Sequence, residues 1–192
     1  MNRFFHSIHT YCNDCYVADY SEQTKNQRGV ELSEEPFDDI AYFHLQNDPH
    51  IKYQCVNFEE NPEFFRKESD PRKRLSQCEC MFVSSEDVPT QWVCLLEMKY
   101  CNEKNIGKRS NKAYRQLENT LDVLKDKGVI DSEKYRVYFN ISIPDHSNKE
   151  PFDAFHFSPA DKLELLRTKK IHLLGYNSLL VLDGTNLKAP HN

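Results

Sequence analysis

Two apolar runs, each interrupted by a single glutamate, constrain the fold of this chain more than any other feature. Residues 75–83 read L-S-Q-C-E-C-M-F-V, and residues 91–101 read Q-W-V-C-L-L-E-M-K-Y-C. Both runs are rich in residues that favour β-strands, and the polar segment from Ser84 to Pro89 between them is typical of a turn. The pattern therefore predicts a buried antiparallel hairpin with one acid in each strand.

The expected register of this hairpin brings its two acids together. A turn centred near residues 87 and 88 places Glu79 opposite Leu96 or Glu97, and strand alternation puts Lys99 on the same face as Glu97. Like charges opposite each other destabilise a sheet, and buried carboxylates need a partner. Since Mg²⁺ prefers oxygen ligands and often takes one or two carboxylates, we expect Glu79 and Glu97 to bind Mg²⁺ or Mn²⁺. Lys99 is expected to orient or deprotonate an attacking water, or to neutralise charge on a reacting phosphorus.

The rest of the chain reads as alternating helices and strands after an irregular N-terminal arm over residues 1–32. A capping Ser33 followed by apolar residues at helical spacing predicts a helix that ends near Asn47. Residues 59–74 suit a loop with a short helical turn near Phe64 and Phe65. The further predicted elements are a strand over 51–58, a helix over 110–127, a strand over 134–143, a helix over 159–169 and a strand over 178–182.

The order of these elements and the position of the acids resemble the PD-(D/E)xK nuclease superfamily, which has the restriction-endonuclease-like fold. That family has an α-β-β-β-α-β core with an acid on the second strand and E-x-K on the third. Here Glu79 takes the first position and E97-M98-K99 the second, although the family's usual Asp is replaced by Glu and its preceding Pro is absent. The resemblance implies an α/β fold with a three-layer core, a mixed central sheet and a C-terminal α-β extension. It also implies metal-dependent hydrolysis of phosphodiester bonds in DNA.

The same resemblance assigns roles to residues outside the hairpin. In many members the next helix carries a Gln near the site, and Gln116 in Y114-R115-Q116-L117 is then a catalytic candidate. Some members use an acid from the first helix, which leaves open the choice among Glu34, Glu35, Asp38 and Asp39. Substrate contacts are expected from the basic stretch that follows the E-x-K triplet, namely Lys104, Lys108, Arg109, Lys112 and Arg115.

Composition sets limits on the class of protein. A chain of 192 residues with 39% hydrophobic residues suits one domain, which we divide into the arm (1–32), a core (33–143) and an extension (144–192). No run of about 18 apolar residues suggests a membrane span, so a soluble, cytoplasmic protein without a membrane partner is expected. Seven cysteines, an odd number, fit reduced thiols better than a disulfide framework.

Several alternatives stay open at this point. The net charge of −5 argues against binding nucleic acid by bulk electrostatics. The main rival to a nuclease is a catalytically inactive nuclease-like scaffold that serves as a binding or assembly module. Zinc binding by His6, His9, Cys12 and Cys15 is a weaker alternative, because four ligands within ten residues would crowd one ion. His146 and the strand aromatics Trp92, Tyr100, Tyr135 and Tyr138 could also reach a substrate. A homodimer is a further alternative, because many enzymes that cut both strands dimerise.

Overall fold

The computed structural model describes residues 1, 3–24, 28–67, 70–131, 133–146 and 157–190, and it shows a mixed α/β chain with several sheets and few helices. The helices are α1 (Tyr20–Thr24), α2 (Ile106–Asp126) and α3 (Pro159–Lys169), with 3-10 turns at Pro62–Phe65, Glu103–Asn105 and Pro144–His146. The strands are β1 (His9–Tyr11), β2 (Cys15–Asp19), β3 (Val30–Ser33), β4 (Phe43–Gln46), β5 (Tyr53–Asn57), β6 (Arg66–Lys67), β7 (Asp70–Arg74), β8 (Cys80–Ser84), β9 (Gln91–Met98), β10 (Tyr135–Ser142), β11 (Ile171–Leu174), β12 (Ser178–Val181) and β13 (Leu187–Lys188).

The central sheet has the strand order β1-β5-β8-β9-β10-β11. The pairs from β1 to β9 are antiparallel, whereas β10 pairs in parallel with both β9 and β11. A parallel pair needs a crossover connection, and α2 and α3 supply it for the two parallel steps. The predicted hairpin, the strand over 134–143 and the helices over 110–127 and 159–169 are thereby confirmed, with α2 starting four residues earlier than expected.

The two faces of this sheet are covered by different layers. On one face α2 buries Leu117, Leu121 and Leu124 in a cluster that includes Val93 and Leu95 of β9. A second sheet, of order β13-β12-β4-β2-β3, covers the other face and buries its own apolar side chains against the even-numbered residues of β8 and β9. Because strand side chains alternate, odd-numbered positions of β8 and β9 face α2. The described layers are thus helix, sheet and sheet.

The predicted helix over residues 33–47 is wrong. Ser33 ends β3, and its hydroxyl accepts a hydrogen bond from the Glu35 amide at 2.9 Å, which closes a short serine turn instead of capping a helix. Residues 43–46 form β4, in which Phe43 and Leu45 are fully buried between β2 and β12. The gain from pairing with two strands outweighs the local helical spacing.

The prediction that residues 1–32 form an irregular arm is also wrong. This segment contains β1, β2, α1 and the start of β3, and Cys15 and Val17 of β2 are fully buried. Its strands are short, and β1 pairs with β5 while β2 pairs with β4, so their stabilising contacts are remote in sequence. A local pattern gives little indication of such strands. The expected helical turn near Phe64 and Phe65 is present as the Pro62–Phe65 3-10 turn.

Candidate active site around Glu79, Glu97 and Lys99

The β8–β9 hairpin sets the position of both acids. Cys80 pairs with Leu96, and the Glu79 amide donates to the Leu96 carbonyl at 3.1 Å, which extends the pairing by one residue and places Glu79 beside Glu97. One Glu79 oxygen also accepts a hydrogen bond from the Met98 amide at 3.0 Å. The prediction that the two acids are cross-strand neighbours is confirmed. Both are buried, Glu97 completely.

Lys99 joins the two acids. Its ammonium forms an ion pair with Glu97 Oε1 and lies 3.9 Å from Glu79 Oε1. It also donates to the Met98 carbonyl at 2.9 Å, while the Lys99 amide is anchored on the Ser142 carbonyl at the end of β10. Only 1% of Lys99 is exposed, so this cation is held inside the protein with the two carboxylates.

The hydrogen bonding of Glu97 is incomplete. Its carboxylate is paired with the Lys99 ammonium, and no described group outside the cluster of Glu79, Glu97 and Lys99 donates a hydrogen bond to either oxygen. A buried carboxylate without donors is costly, because it has lost water without replacing it. Glu97 therefore requires a further positive partner, which could be a proton or a metal ion.

The pKa values of the two acids reflect this shortage. Burial, reinforced by the charge of Glu97, holds the pKa of Glu79 well above its usual range, and burial also raises the pKa of Glu97. In its protonated form Glu79 donates a hydrogen bond to Glu97, so the pair binds one proton between them. Burial opposes the charge on Lys99, but Glu79 and Glu97 outweigh it and raise the pKa of the ammonium above its ordinary value. Lys99 is therefore a cation at neutral pH.

A third acid, Glu22, lies at the same site and was missed by the sequence reasoning. Its Oε2 is 3.5 Å from the Lys99 ammonium, and its Oε1 is 3.4 Å from the Arg109 guanidinium. Asp19 places it there by capping α1, since one Asp19 oxygen accepts hydrogen bonds from the Ser21 and Glu22 amides. An Asp followed three residues later by Glu is a helix-start signal, and D19-Y-S-E22 could have been recognised by it.

The four acids proposed from the first predicted helix have other surroundings. Glu34 accepts a hydrogen bond from Asn13, and Asp39 accepts one from the Tyr20 hydroxyl. Glu35 and Asp38 are exposed on the segment that was expected to be helical. Because the helix that would have carried one of them to the hairpin acids does not form, the structure gives no support to any of these four candidates.

Gln116 supports the site indirectly, through the backbone that precedes Glu79. Its amide donates to the Gln77 carbonyl at 3.0 Å, and Thr120, one turn further along α2, accepts the Cys78 amide at 2.8 Å. Together these bonds fix the backbone that leads into Glu79. Gln116 Oε1 is buried and accepts no hydrogen bond from any described group. A contact of Gln116 with substrate stays a prediction.

The predicted basic residues occupy the outer surface beside this site. Lys108, Arg109, Lys112 and Arg115 line a cleft of about 670 Å³ together with Asn105 and Asn111, whereas Lys104 is exposed in the preceding 3-10 turn. A second cleft of about 330 Å³ shares Asn105 and Arg109 with the first, and Glu22 and Asp145 line it. Arg109 therefore connects the basic surface to the acid cluster.

Other sequence candidates have structural roles. Trp92 donates to the Asp183 carbonyl, the Tyr100 hydroxyl to the Ala41 carbonyl, and Tyr138 accepts the Leu187 amide; all three rings are buried. His146 is bonded through its ring to the Cys101 carbonyl at 2.7 Å. These contacts hold loops against the sheets, so the aromatic rings are not free to stack on a base.

The described residues offer few ligands for a divalent cation. Among the residues that the structure describes, no group of three or more His, Cys, Asp or Glu side chains is arranged to hold a metal ion. This applies to the proposed zinc ligands too, since Cys15 is buried while Cys12 is exposed. Glu79 and Glu97 together offer two carboxylates, the ligand type that Mg²⁺ and Mn²⁺ prefer, and the remaining ligands would have to be water and substrate.

Comparisons of the chain with protein-family models, with curated proteins and with solved structures find no match. Within the described residues, every helix is too short or too polar to cross a lipid bilayer. The function must therefore be argued from the site itself.

Proposed function

We propose that this protein is a Mg²⁺- or Mn²⁺-dependent nuclease that hydrolyses phosphodiester bonds of DNA. The observation that carries the proposal is the convergence of Glu79, Glu97 and Lys99 in one buried cluster, in which Glu97 has no hydrogen-bond donor outside the cluster among the described residues. With one proton shared by the two acids and one ammonium the cluster is neutral, and a divalent cation bound there would displace the shared proton. In a structural ion pair the charges of the two partners compensate each other. Buried groups with strongly raised pKa values are instead concentrated at functional sites.

In this proposal Glu79 and Glu97 hold the metal ion, which would supply positive charge to the phosphate and to the attacking water. Lys99 stays protonated, since the neighbouring carboxylates raise the pKa of its ammonium. Of the roles open to it, orienting the water and neutralising negative charge on the reacting phosphate are therefore favoured over deprotonating the water. Glu22 tethers Arg109 near the same cluster, which places a second cation within reach of a phosphate.

The topology supports the same assignment. Strands β5, β8, β9 and β10 are adjacent in chain order in the sheet, with α2 between β9 and β10, which agrees with the β-β-β-α-β part of the restriction-endonuclease-like core. The first acid precedes the second of these strands, and E-x-K ends the third. In place of a long first helix the chain has the five-residue α1 and the second sheet.

The test is cleavage of supercoiled plasmid and of single-stranded DNA with Mg²⁺, with Mn²⁺ and with EDTA. We expect metal-dependent cleavage by the wild-type protein, and a loss of at least about a hundredfold in Glu97→Gln and in Lys99→Met. Glu133→Gln, at an exposed position just before β10, serves as the matched control and should retain full activity. Wild-type activity in Glu97→Gln would refute the assignment.

The rival function, a scaffold that no longer cuts, is favoured by one observation. Glu97 and Lys99 are almost completely buried and already paired, so the cluster can act as an internal ion pair that fixes the end of the hairpin. Calorimetric titration with Mn²⁺ separates the two functions. Metal binding that disappears in Glu97→Gln supports the nuclease, whereas an absence of binding in the wild-type protein supports the scaffold.

A further inference from the structure

The segment 66–74, whose paired strands β6 (Arg66–Lys67) and β7 (Asp70–Arg74) we call the basic ribbon, was expected to be a loop and has no role in the site described above. Its sequence, R-K-E-S-D-P-R-K-R, contains five basic and two acidic residues, a net charge of +3 in a chain whose net charge is −5. The side chain of Arg72 is 93% exposed and that of Lys73 is 71% exposed. The ribbon is thus a strongly positive feature on an acidic protein.

Its own charges are poorly balanced. Arg66 lies directly across from Arg74 in the β6–β7 register, and like charges opposite each other destabilise a sheet. Glu63 neutralises Arg66 at 2.5 Å, but Asp70 is shared between Arg72 at 3.3 Å and Lys73 at 3.9 Å. A two-stranded ribbon without an apolar face is marginally stable in water. An external anion would relieve this repulsion.

The ribbon is close to the candidate active site. The Leu75 amide donates to the Phe65 carbonyl at 2.8 Å, which closes the base of the hairpin against the 3-10 turn. From Leu75 the chain reaches Glu79 in four residues, a span of at most about 14 Å. Because each strand of duplex DNA has one phosphate per roughly 3.4 Å of helix axis, this distance corresponds to about four phosphates.

We propose that the basic ribbon binds the phosphate backbone of duplex DNA beside the candidate active site. The inference rests on the proposed nuclease function, and it adds a second contact surface to Lys108, Arg109, Lys112 and Arg115. A two-stranded β-ribbon fits the major groove of B-DNA. Since the ribbon presents guanidinium and ammonium groups to phosphates, the binding does not depend on base sequence.

The test measures fluorescence anisotropy of a labelled duplex of about 20 base pairs in EDTA, so that no cleavage occurs, across a range of salt concentrations. The variant is the triple substitution Arg72→Gln, Lys73→Gln and Arg74→Gln. Its matched control removes the same charge from exposed positions elsewhere: Lys134→Gln, Arg167→Gln and Lys170→Gln. Thermal melts by circular dichroism verify that both variants are folded.

We expect the ribbon variant to bind at least about tenfold more weakly than the wild-type protein at moderate salt. The slope of its affinity against salt concentration should also be shallower, by about 0.9 for each phosphate that the variant no longer neutralises. The control should change affinity less than about threefold. Equal weakening in the two variants, or none in the ribbon variant, would overturn the inference. So would competition by polyglutamate as effective as by unlabelled duplex, since it would identify an acidic protein as the partner.

The two proposals fail in different ways. Metal-dependent cleavage with duplex binding that the ribbon variant leaves unchanged would refute the ribbon and keep the nuclease. Duplex binding that depends on the ribbon, with no cleavage under any metal, would refute the nuclease and keep the ribbon as a DNA-binding surface.

Discussion

Glu79 and Glu97 outnumber Lys99 in the buried cluster, so ionisation of both acids would leave one negative charge uncompensated. Glu22 and Arg109 largely neutralise each other at its edge, so they do not correct the imbalance inside. Burial makes the uncompensated carboxylate costly, and the raised pKa values of Glu79 and Glu97 express that cost. The proton that the two acids share lowers this cost.

Glu79→Gln should therefore stabilise the protein at neutral and alkaline pH. The folded-state pKa of Glu79 lies above its unfolded value, so the wild-type protein loses stability as the pH rises from about 4.5 through the folded-state pKa. The amide does not ionise, and its oxygen can still accept the Met98 amide. Each unit of pKa shift corresponds to about 1.4 kcal/mol, so we expect a gain of more than about 1 kcal/mol at pH 8 and almost none at pH 4. Urea unfolding between pH 4 and pH 9 measures it.

The exposed Glu133→Gln is the control and should leave the free energy of unfolding unchanged over the same pH range. A Glu79→Gln protein that is less stable than wild type at pH 8 would show that the carboxylate is adequately paired. The charge argument for a cation site would then be lost.

The residues of the site could be predicted from the sequence only where they share a hairpin. Glu79, Glu97 and Lys99 follow from strand alternation and a turn, both of which are local. Glu22 approaches Lys99 because α1 packs near the end of the central sheet, and no periodicity in either segment encodes that contact. The basic residues of α2 were predicted as a charged stretch, but their link to the acids through Arg109 required the structure.

At the scale of elements, α2 acts as a support for the strand that carries Glu79. Thr120 accepts the Cys78 amide and donates to the Gln116 carbonyl, while Gln116 holds the Gln77 carbonyl. Water is excluded from the centre of this network, since Thr120 and Cys78 are at most 2% exposed. The position of Glu79 is therefore coupled to the helix as well as to β9.

Thr120→Val should loosen this connection. Valine has the shape of threonine but accepts no hydrogen bond, so the buried Cys78 amide loses its partner, at a cost of about 1–3 kcal/mol. Thr168→Val in α3 is the matched control, because its hydroxyl makes the same kind of bond to Glu164 one turn back but is exposed. Urea denaturation at pH 7 compares the two. A loss below about 0.5 kcal/mol in Thr120→Val would mean that water or another group replaces the hydroxyl.

Elements with strong local signals were predicted well, and those that depend on distant partners were not. Helix α2 has a long apolar stripe, and β8 and β9 have continuous apolar runs between polar turns. The four residues of β4 are too few to show a period, and their burial comes from β2 and β12 on either side. The helical spacing around Ile40 and Leu45 was a coincidence of local sequence that sheet pairing overrode.

At the scale of the whole molecule, the second sheet replaces the helix that was expected on that face. Phe43 and Leu45 of β4 are fully buried in the same cluster as Phe82 and Leu96 of the central sheet. Trp92 lies in this cluster too, with its indole bonded to the Asp183 carbonyl. The two sheets are thus joined by a shared apolar core.

Leu45→Ala should destabilise both sheets together. Truncation of a fully buried leucine removes apolar packing and leaves a cavity, which costs about 2–5 kcal/mol. Leu182→Ala, at a residue that is 48% exposed, is the control and should cost less than about 1 kcal/mol. Thermal unfolding followed by Trp92 fluorescence and by far-ultraviolet circular dichroism should give one coincident, lowered transition. Two separate transitions would show that the sheets unfold independently.

Strand β9 contributes even-numbered side chains to one core and odd-numbered ones, with Glu97 among them, to the other face of the sheet. A shift of β9 by one residue would turn its even-numbered side chains towards α2 and its odd-numbered ones, including Glu97, towards the second sheet. Natural variation in length should therefore be absorbed by the connecting segment at 85–90, where added or deleted residues leave the ladder unshifted. Glu97 and the apolar residues around it must keep the same register, which restricts substitution in β9 even at positions that contact no ligand.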